Sequence, residues 1–441
     1  MKSGYSPGLA WNIIPVIIGT LSRLTMAYRP RIADQELSTY LGGVGAVVVE
    51  GARACGKTAT AKNIAASEAL LDIDANMRRA VSVNSALVLN GDAPRLIDEW
   101  QLAPAIWNLV RRAVDDRGVS GQFILTGSAI PTDDITRHSG AGRITRLRMR
   151  PMSLFESGKS SGAISLAGLL SGEPMEGVRT DATIADIAEA IAVGGWPGLQ
   201  DVARDDALRT IRGYVTEIAR TDVSRVDERR RDPDKVGRLL VSLARNVATQ
   251  AAATTLAADA GGADGPLDDD TVREYLEVLE RLMVVENQPA WSPHLRSRRR
   301  LRQAPKRHFV DPSLAVGALR ATPERLLEDL SLFGLLFESL VIRDLRVYAQ
   351  AAEAEVFQYR DSKGLEVDAI VEGLDGRWGA FEVKLDSSRV DEAAENLLRF
   401  ADNVDTERFE KPAVLGVIIG SGYGFVLENG VQVIPIDALG P

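Results

Sequence analysis

The sequence predicts an α/β chain. Its parts are an N-terminal extension (1–28), a domain built on a parallel sheet (29–205), a helical, winged-helix-like domain (206–325) and a second α/β domain (326–441). Three observations carry that prediction. A β-branched run, VGAVVVE at 44–50, passes at once into a glycine loop and a helix, as buried parallel strands do. Residues 206–290 carry long helical patterns with no obvious strand. From about 326 the pattern returns to helix, strand pair, helix and strand, closing on VLGVIIG at 414–420.

Composition narrows the class. At 441 residues, 45% hydrophobic and 26% charged, the chain is neither disordered, collagen-like nor a disulfide-stapled miniature. Cys55 is the single cysteine, so no internal disulfide forms and a reducing, cytoplasmic setting is expected. With His138, His294 and His308 as the only histidines, a Cys/His zinc cluster is excluded. A net charge of −9 leaves any nucleic-acid role to local patches. The apolar run at 9–22 is too short to span a bilayer and reads as a dispensable extension; a signal peptide ending at Thr25-Met26-Ala27 is the alternative. No later segment is long enough, and no membrane association is expected.

The elements follow in order. After the 44–50 strand come a helix from Lys57, an apolar run SALVLN (85–90) expected as a strand, RLIDEW (95–100), a helix around 104–116 and QFILTGS (122–128). Alternating strands and helices imply a parallel sheet covered on both faces. Ile144–Met149 reads as a further strand, and the glycines and proline of 194–198 break the pattern. Asp232-Pro233-Asp234 opens a helix, and 249–259 and 270–284 give two more, the last behind the acidic turn 268–270 that suits a helix N-terminus. VVENQPAW (284–291) and KRHFVDP (306–312) then flank a basic stretch, three helices and a two-stranded wing in all.

GARACGKT at 51–58 matches G-x-x-x-x-G-K-[ST] between a strand and a helix, as a phosphate loop requires. Gly51 and Gly56 let the backbone approach phosphate, and the N–H groups of Ala52, Arg53, Ala54, Cys55, Lys57, Thr58 and Ala59 face negative charge. Lys57 reaches the terminal phosphates and Thr58 offers its hydroxyl to Mg²⁺. In LIDEWQ, Asp98 would hold Mg²⁺ through water and Glu99 would orient or deprotonate the attacking water; capping acids at a strand end are the plain alternative. Thr126 and Ser128, at the next strand end, are placed to sense a γ-phosphate, or form an ordinary polar turn. Among the arginines that follow, Arg143, behind Gly142, is the preferred arginine finger; Arg146, Arg148 and Arg150 share one strand face and read as a solvated or interface stripe. Cys55 reads as a small filler inside the loop.

Together with LIDEWQLAP, ILTGSAIP, HSGAGRITRLRMRPMSLFESG, RSRRRLRQAPKRHFVDPSLA and FESLVIRDLRVYA, this loop resembles P-loop ATPases of the AAA/archaeal-ATPase type. These carry a C-terminal domain of unknown function related to restriction-endonuclease-like folds. The resemblance runs from about Met26 nearly to the C-terminus and implies ATP hydrolysis with Mg²⁺ more firmly than a biological role. ATP over GTP rests on it as well, since no N-K-x-D motif is found.

A second constellation lies in the last domain. LEVDAIV (365–371) and WGAFEVKL (378–385), joined by a Gly-Leu-Asp-Gly turn, alternate so that Asp368, Glu382 and Lys384 converge if the strands form a hairpin. Glu338 sits upstream in a helix. The set resembles a PD-(D/E)xK nuclease core, with Val367 where that motif has proline: Glu338, Asp368 and Glu382 would hold metal while Lys384 stabilises charge or activates water. Charges on a surface hairpin are the alternative. Residues 326–441 carry 10 Lys and Arg against 22 Asp and Glu, a net of −12 that repels phosphate. A grip on DNA or RNA would fall to the Arg296–Arg307 stretch, contacting backbone rather than bases. Two readings stand: an ATP-driven protein acting on nucleic acid, and a nucleotide-controlled signalling or scaffold ATPase whose C-terminal domain is an inactive protein-binding module. Self-association is expected if Arg143 acts in trans.

Overall fold

The computed structural model describes residues 28–127, 139–223, 231–293, 303–404 and 410–441. Ser128, the histidines at 138 and 294, and the basic stretch from Arg296 to Arg302 lie outside the described residues.

The first sheet is five-stranded and parallel. In chain order, α1 (Ile32–Gly43), β1 (Ala46–Glu50), α2 (Lys57–Ile64), β2 (Ser67–Leu70), α3 (Ala75–Val83), β3 (Arg95–Asp98), α4 (Ile106–Arg117), β4 (Phe123–Gly127) and β5 (Ile144–Arg148) give the strand order β2-β3-β4-β1-β5. Side chains alternate across β1, so Val47 and Val49 pack with Leu37 and Ala61 on one face, and Ala46 and Val48 with Trp107 and Val110 on the other. That two-sided burial explains the unbroken apolar run. SALVLN is not a strand: Ser85–Leu89 form a 3₁₀ turn started by the Asn84 side chain, which accepts from the Ala86 N–H. Its Val88 and Leu89 fill the core beside Trp100, while the edge strand is β2, SEAL, where only Ala69 is buried. An edge position asks for little hydrophobicity, so pattern alone favours the wrong segment.

Residues 150–203 connect this sheet to the C-terminal one. They include β6 (Ile164–Ser165), α5 (Leu166–Leu170), β7 (Val178–Arg179) and α6 (Ile184–Val193). The Gly-Gly pair there is forced by proximity: a Cβ at Gly195 would lie 2.0 Å from the Met152 carbonyl oxygen. Helices α7 (Arg204–Glu217), α8 (Pro233–Arg245), α9 (Ala253–Gly261) and α10 (Asp269–Arg281) follow, with α7 running into a π turn at Ile218–Asp222. Asp232 and Asp268 cap α8 and α10 by accepting from the N–H two residues on. An antiparallel pair, β8 (Val285–Gln288) and β9 (Lys306–Phe309), then leads into α11 (Ser313–Leu319) and α12 (Pro323–Glu328).

The last part is built on α13 (Leu330–Ala351), a 22-residue helix buried along most of its length. Around it lie β10 (Ala354–Arg360), β11 (Glu366–Gly373), β12 (Trp378–Lys384), α14 (Val390–Asn403), β13 (Val414–Ile419), β14 (Tyr423–Val426), β15 (Gln432–Pro435) and β16 (Leu439–Gly440). The sheet order is β10-β11-β12-β13-β15-β14-β7, and β16 pairs with β6. One strand from before residue 205, β7, thus edges the C-terminal sheet, and a second, β6, pairs with the last strand of the chain. The seam is polar and buried: Arg343 on α13 pairs with Asp311 (2.8 Å) and Asp344 (2.7 Å), and Asp344 accepts from the Leu154 N–H at 3.0 Å. Among the described residues no helix is long and apolar enough to cross a membrane.

Candidate functional site

The phosphate loop leaves the C-terminal end of β1 and enters α2 through Gly56, whose φ of +107° is open to glycine at no steric cost. Gly51 is fixed by closeness instead, since a Cβ there would lie 2.1 Å from the Met149 carbonyl oxygen. The buried Lys57 ammonium donates to the carbonyls of Gly51 (2.9 Å) and Ala52 (2.8 Å), neutral partners that a phosphate would outbid. Thr58 donates its hydroxyl to Asp98 Oδ1 at 2.9 Å, and Thr126 donates to the same oxygen. This convergence follows from the strand order, because Asp98 and Thr126 stand opposite each other on neighbouring strands. Glu99 follows in left-handed backbone (φ +54°), and burial raises its carboxyl above the usual range although Gln101 donates to it.

Arg53, Ala54, Gly56, Ala59 and Glu99 border a cleft of about 560 Å³, closed on the far side by Tyr214 and Glu217 of α7. Arg53 is tied to that helix and to the π turn after it: its carbonyl accepts from the Tyr214 hydroxyl at 3.1 Å and its guanidinium pairs with Asp222 at 2.8 Å. The donor set fits a nucleotide with Mg²⁺: a glycine cradle, a lysine, and a threonine hydroxyl beside a carboxylate. Cys55 is buried, its thiol 3.6 Å from the Met149 carbonyl, in keeping with a filler.

Arg143 is elsewhere. Its carbonyl accepts from the N–H of Ala46, the first residue of β1, whereas the phosphate loop leaves from the last. Four residue steps of strand, roughly 13 Å, separate the two ends. The Arg143 guanidinium pairs with Asp115 at 2.8 Å and cannot serve as a finger on its own chain's loop. Arg148 and Arg150 form an interface stripe: with Arg346 they surround Glu286 of β8. Burial pushes the Glu286 carboxyl up, but the three guanidiniums outweigh it and hold the group well below the usual range. Sequence reading missed Arg31, which donates to the carbonyls of Cys55 (2.9 Å) and Arg150 (2.8 Å) and pairs with Glu156 (3.0 Å), bracing the loop from behind.

In the C-terminal part the structure brings Glu338, Asp368, Glu382 and Lys384 into one buried cluster on α13, β11 and β12. Lys384 Nζ lies 2.6 Å from Glu382 and 3.7 Å from Asp368. Asp368 also accepts from the Val383 N–H at 3.0 Å, and Asn396 of α14 donates to Glu382 at 2.8 Å. A residue of β9 intervenes: Lys306 Nζ lies 2.6 Å from Glu338 and 3.2 Å from Asp368. Its ammonium thus stands between two of the carboxylates assigned to metal. Among the described residues no group of three His, Cys, Asp or Glu is arranged to hold a metal ion.

Burial and the Asp368 charge raise Glu338 to about 8 and Glu382 to about 7. Burial also opposes ionisation of Asp368, but Lys306 and Lys384 outweigh it and hold that carboxyl below its ordinary value. His308, two residues along β9, is buried against Ser339 (3.2 Å) and Gln288 (3.0 Å), and burial drives its pKa well below the usual value. The signal for Lys306 was the alternation of KRHF, which sends residues 306 and 308 to one side of a strand.

Three family models match parts of the chain. Residues 44–157 match an AAA domain, 184–325 a domain of unknown function (DUF8612), and 333–439 another (DUF4143). The uncharacterized proteins Mb2031c of Mycobacterium bovis and Rv2008c of Mycobacterium tuberculosis are each 24% identical over 438 residues, covering 98% of this chain and 89% of theirs. Among solved structures, the Walker-type ATPase PABY2304 of Pyrococcus abyssi aligns with a TM-score of 0.42 and 14% identity, over 65% of this chain and 94% of that one. With the phosphate loop and its converging hydroxyls in place, the similarity of residues 44–157 to AAA domains supports an ATP-binding, AAA-type P-loop ATPase.

Proposed function

We propose that the chain hydrolyses ATP with Mg²⁺ and couples nucleotide state to work on nucleic acid. The observation that carries hydrolysis is the meeting of the Thr58 and Thr126 hydroxyls on Asp98 beside Glu99. Lys57 would move from its loop carbonyls onto the terminal phosphates. Thr58 and Asp98 would hold Mg²⁺, which when bound neutralises charge on the phosphate oxygens. Glu99, its proton affinity raised by burial, would accept a proton from the attacking water. The helix N-terminus and loop N–H groups hold the anion in place. Measuring ATPase rate with Lys57→Ala and Glu99→Gln tests this; unchanged turnover in Glu99→Gln removes it as the base.

In this reading the middle helices and the β8–β9 pair act as a winged-helix-like module, and the α13–β10–β11–β12–α14–β13 unit as a restriction-endonuclease-like one. A cytoplasmic setting fits the single cysteine. Arg143 would act only in trans, within an assembly. ATPase rate per subunit would then rise with protein concentration, and an Arg143→Ala/Glu99→Gln mixture would regain activity. A flat rate without rescue confines Arg143 to its pairing with Asp115.

The second reading, a signalling or scaffold ATPase with an inactive C-terminal module, is favoured by one observation: Lys306 and Lys384 already neutralise the carboxylates. Cleavage of single- and double-stranded DNA and RNA with Mg²⁺ or Mn²⁺, wild type beside Asp368→Ala, decides between them. No cleavage, or equal cleavage by the variant, leaves a binding module.

A further inference from the structure

On the face of α7 turned away from the nucleotide cleft lies a groove of about 820 Å³ between α7, α8 and α11. Five arginines line it against two aspartates, in a chain whose overall charge is −9. Two of the five are engaged. Arg238 donates to the Ala260 carbonyl at 2.7 Å, and Arg245 stands 3.9 Å from Asp259, which also accepts from Ser242 at 2.6 Å. The other three, Arg212, Arg220 and Arg320, have guanidiniums with no hydrogen bond or ion pair to any described residue. Single exposed arginines such as Arg79, Arg112 and Arg325 likewise have no carboxylate partner among the described residues, but in this groove three of them border one concavity. Three guanidiniums without a counter-ion around one concavity make a local positive field that favours an anion there.

We infer that this groove binds the phosphodiester backbone of a nucleic acid. The inference rests on the reading that the chain acts on nucleic acid, and adds where the strand is held. The floor decides the ligand class. Gly213 and Gly237 face open space, with nothing within 4 Å of an added Cβ, and Val215 and Val241 are the large apolar side chains in the lining. Arginine clusters also read acidic peptides, but a peptide gains most of its affinity from side chains seated in pockets beside the charges, which this floor does not offer. A sugar–phosphate chain needs only spaced cations on a smooth track, and guanidiniums grip phosphate oxygens in pairs. The C-terminal part, at −12, cannot supply that grip itself.

The test is fluorescence anisotropy of labelled single- and double-stranded DNA and RNA at several salt concentrations, without nucleotide, using the full chain. For Arg212→Ala, Arg220→Ala and Arg320→Ala the slope of log K against log salt should fall by about 1 each, and the triple variant should bind at least tenfold more weakly at fixed salt. Arg212→Lys with Arg320→Lys should restore most of the slope. Circular dichroism of the triple variant should match wild type, since all three side chains reach solvent. Unaltered binding in the triple variant overturns the inference, as does a polyglutamate peptide binding the groove in preference to the oligonucleotides. Loss of binding only on charge reversal within Arg296–Arg302 overturns it too. Because binding is read without ATP, an inactive phosphate loop would sink the ATPase reading and leave this result intact.

Discussion

The two carboxylate sites of this protein use similar ingredients in opposite states. In the phosphate-loop site a buried lysine rests on neutral carbonyls, and among the described residues the Asp98 carboxylate takes hydroxyl donors, from Thr58 and Thr126. In the C-terminal site the ammonium groups of Lys306 and Lys384 reach across to Glu338, Asp368 and Glu382, and together they hold Asp368 ionised. The first arrangement is poised: weak internal partners would yield to phosphate and, on the proposed reading, to Mg²⁺. The second is settled, because a metal must displace a buried ammonium whose own loss of charge is resisted by two carboxylates. The lesson is that readiness to bind depends on whether the resting partners are dipoles or ions, more than on which residues are present.

The largest expected effect breaks the poised site. Lys57→Ala should abolish tight ATP binding, read by calorimetry, while Glu99→Gln keeps binding and loses on the order of 10²–10⁴ in turnover. If Glu99→Gln instead binds poorly, Glu99 is organising the loop rather than accepting a proton.

Next comes the settled site. Lys306→Met keeps the stem and removes the ammonium, leaving Glu338 and Asp368 without their counter-ion. Breaking a buried pair this way costs about 3–5 kcal/mol, so the thermal midpoint should drop. Mn²⁺ should then bind and raise it again, whereas wild type shows no such rescue. A variant as stable as wild type, indifferent to Mn²⁺, would show that Lys306 is not the counter-ion.

How far all this could be read from sequence varies with distance along the chain. The loop was legible because GARACGKT needs only its own strand and helix. Asp368, Glu382 and Lys384 were legible because one hairpin with two-residue alternation carries them. Whether Arg143 could reach its own chain's loop was not legible, since its spacing from the other motifs is silent on which end of the sheet it occupies; the register of β5 against β1 puts it at the far end and leaves a role in trans open to test. Lys306 was counted with the basic stretch because its docking onto α13 and β11 is a contact across 32 and 62 residues. SALVLN misled for an energetic reason: apolar side chains serve a 3₁₀ turn over a core as well as a strand in it.

Acid–base behaviour sharpens the comparison further. The folded state holds Glu338 up to about 8 and Glu382 up to about 7, above their unfolded value of 4.5. Between pH 4.5 and 8 the native chain therefore binds more protons than the unfolded one, so stability falls as pH rises through that window. Glu338→Gln should flatten the fall, measured as denaturation midpoints across that range. Asp368 acts oppositely but only at acid pH, since its carboxyl is held below 3.8 and its contribution is lost as pH drops through the folded value.

The smallest effect concerns the link between the nucleotide cleft and the rest of the molecule. Helix α7 borders the cleft with Tyr214 and Glu217 and the arginine groove with Arg212, and the π turn that continues it adds Arg220 to the groove. One hydrogen bond at 3.1 Å, from the Tyr214 hydroxyl to the Arg53 carbonyl, joins that helix to the phosphate loop, beside a partly exposed Arg53–Asp222 pair. Tyr214→Phe deletes the bond and keeps the ring packed against Trp196 in a tilted arrangement, with centroids 5.0 Å apart. The cost to stability should be near 1 kcal/mol, since the freed carbonyl faces a solvent-accessible cleft. If α7 relays occupancy of the groove, oligonucleotide should change the ATPase rate of wild type by several-fold and that of Tyr214→Phe much less, with oligonucleotide affinity unchanged in both. Equal stimulation in the two proteins would place the coupling on another path, with the 150–203 connection the next to examine because the phosphate loop packs against Met149 and Arg31 on that side.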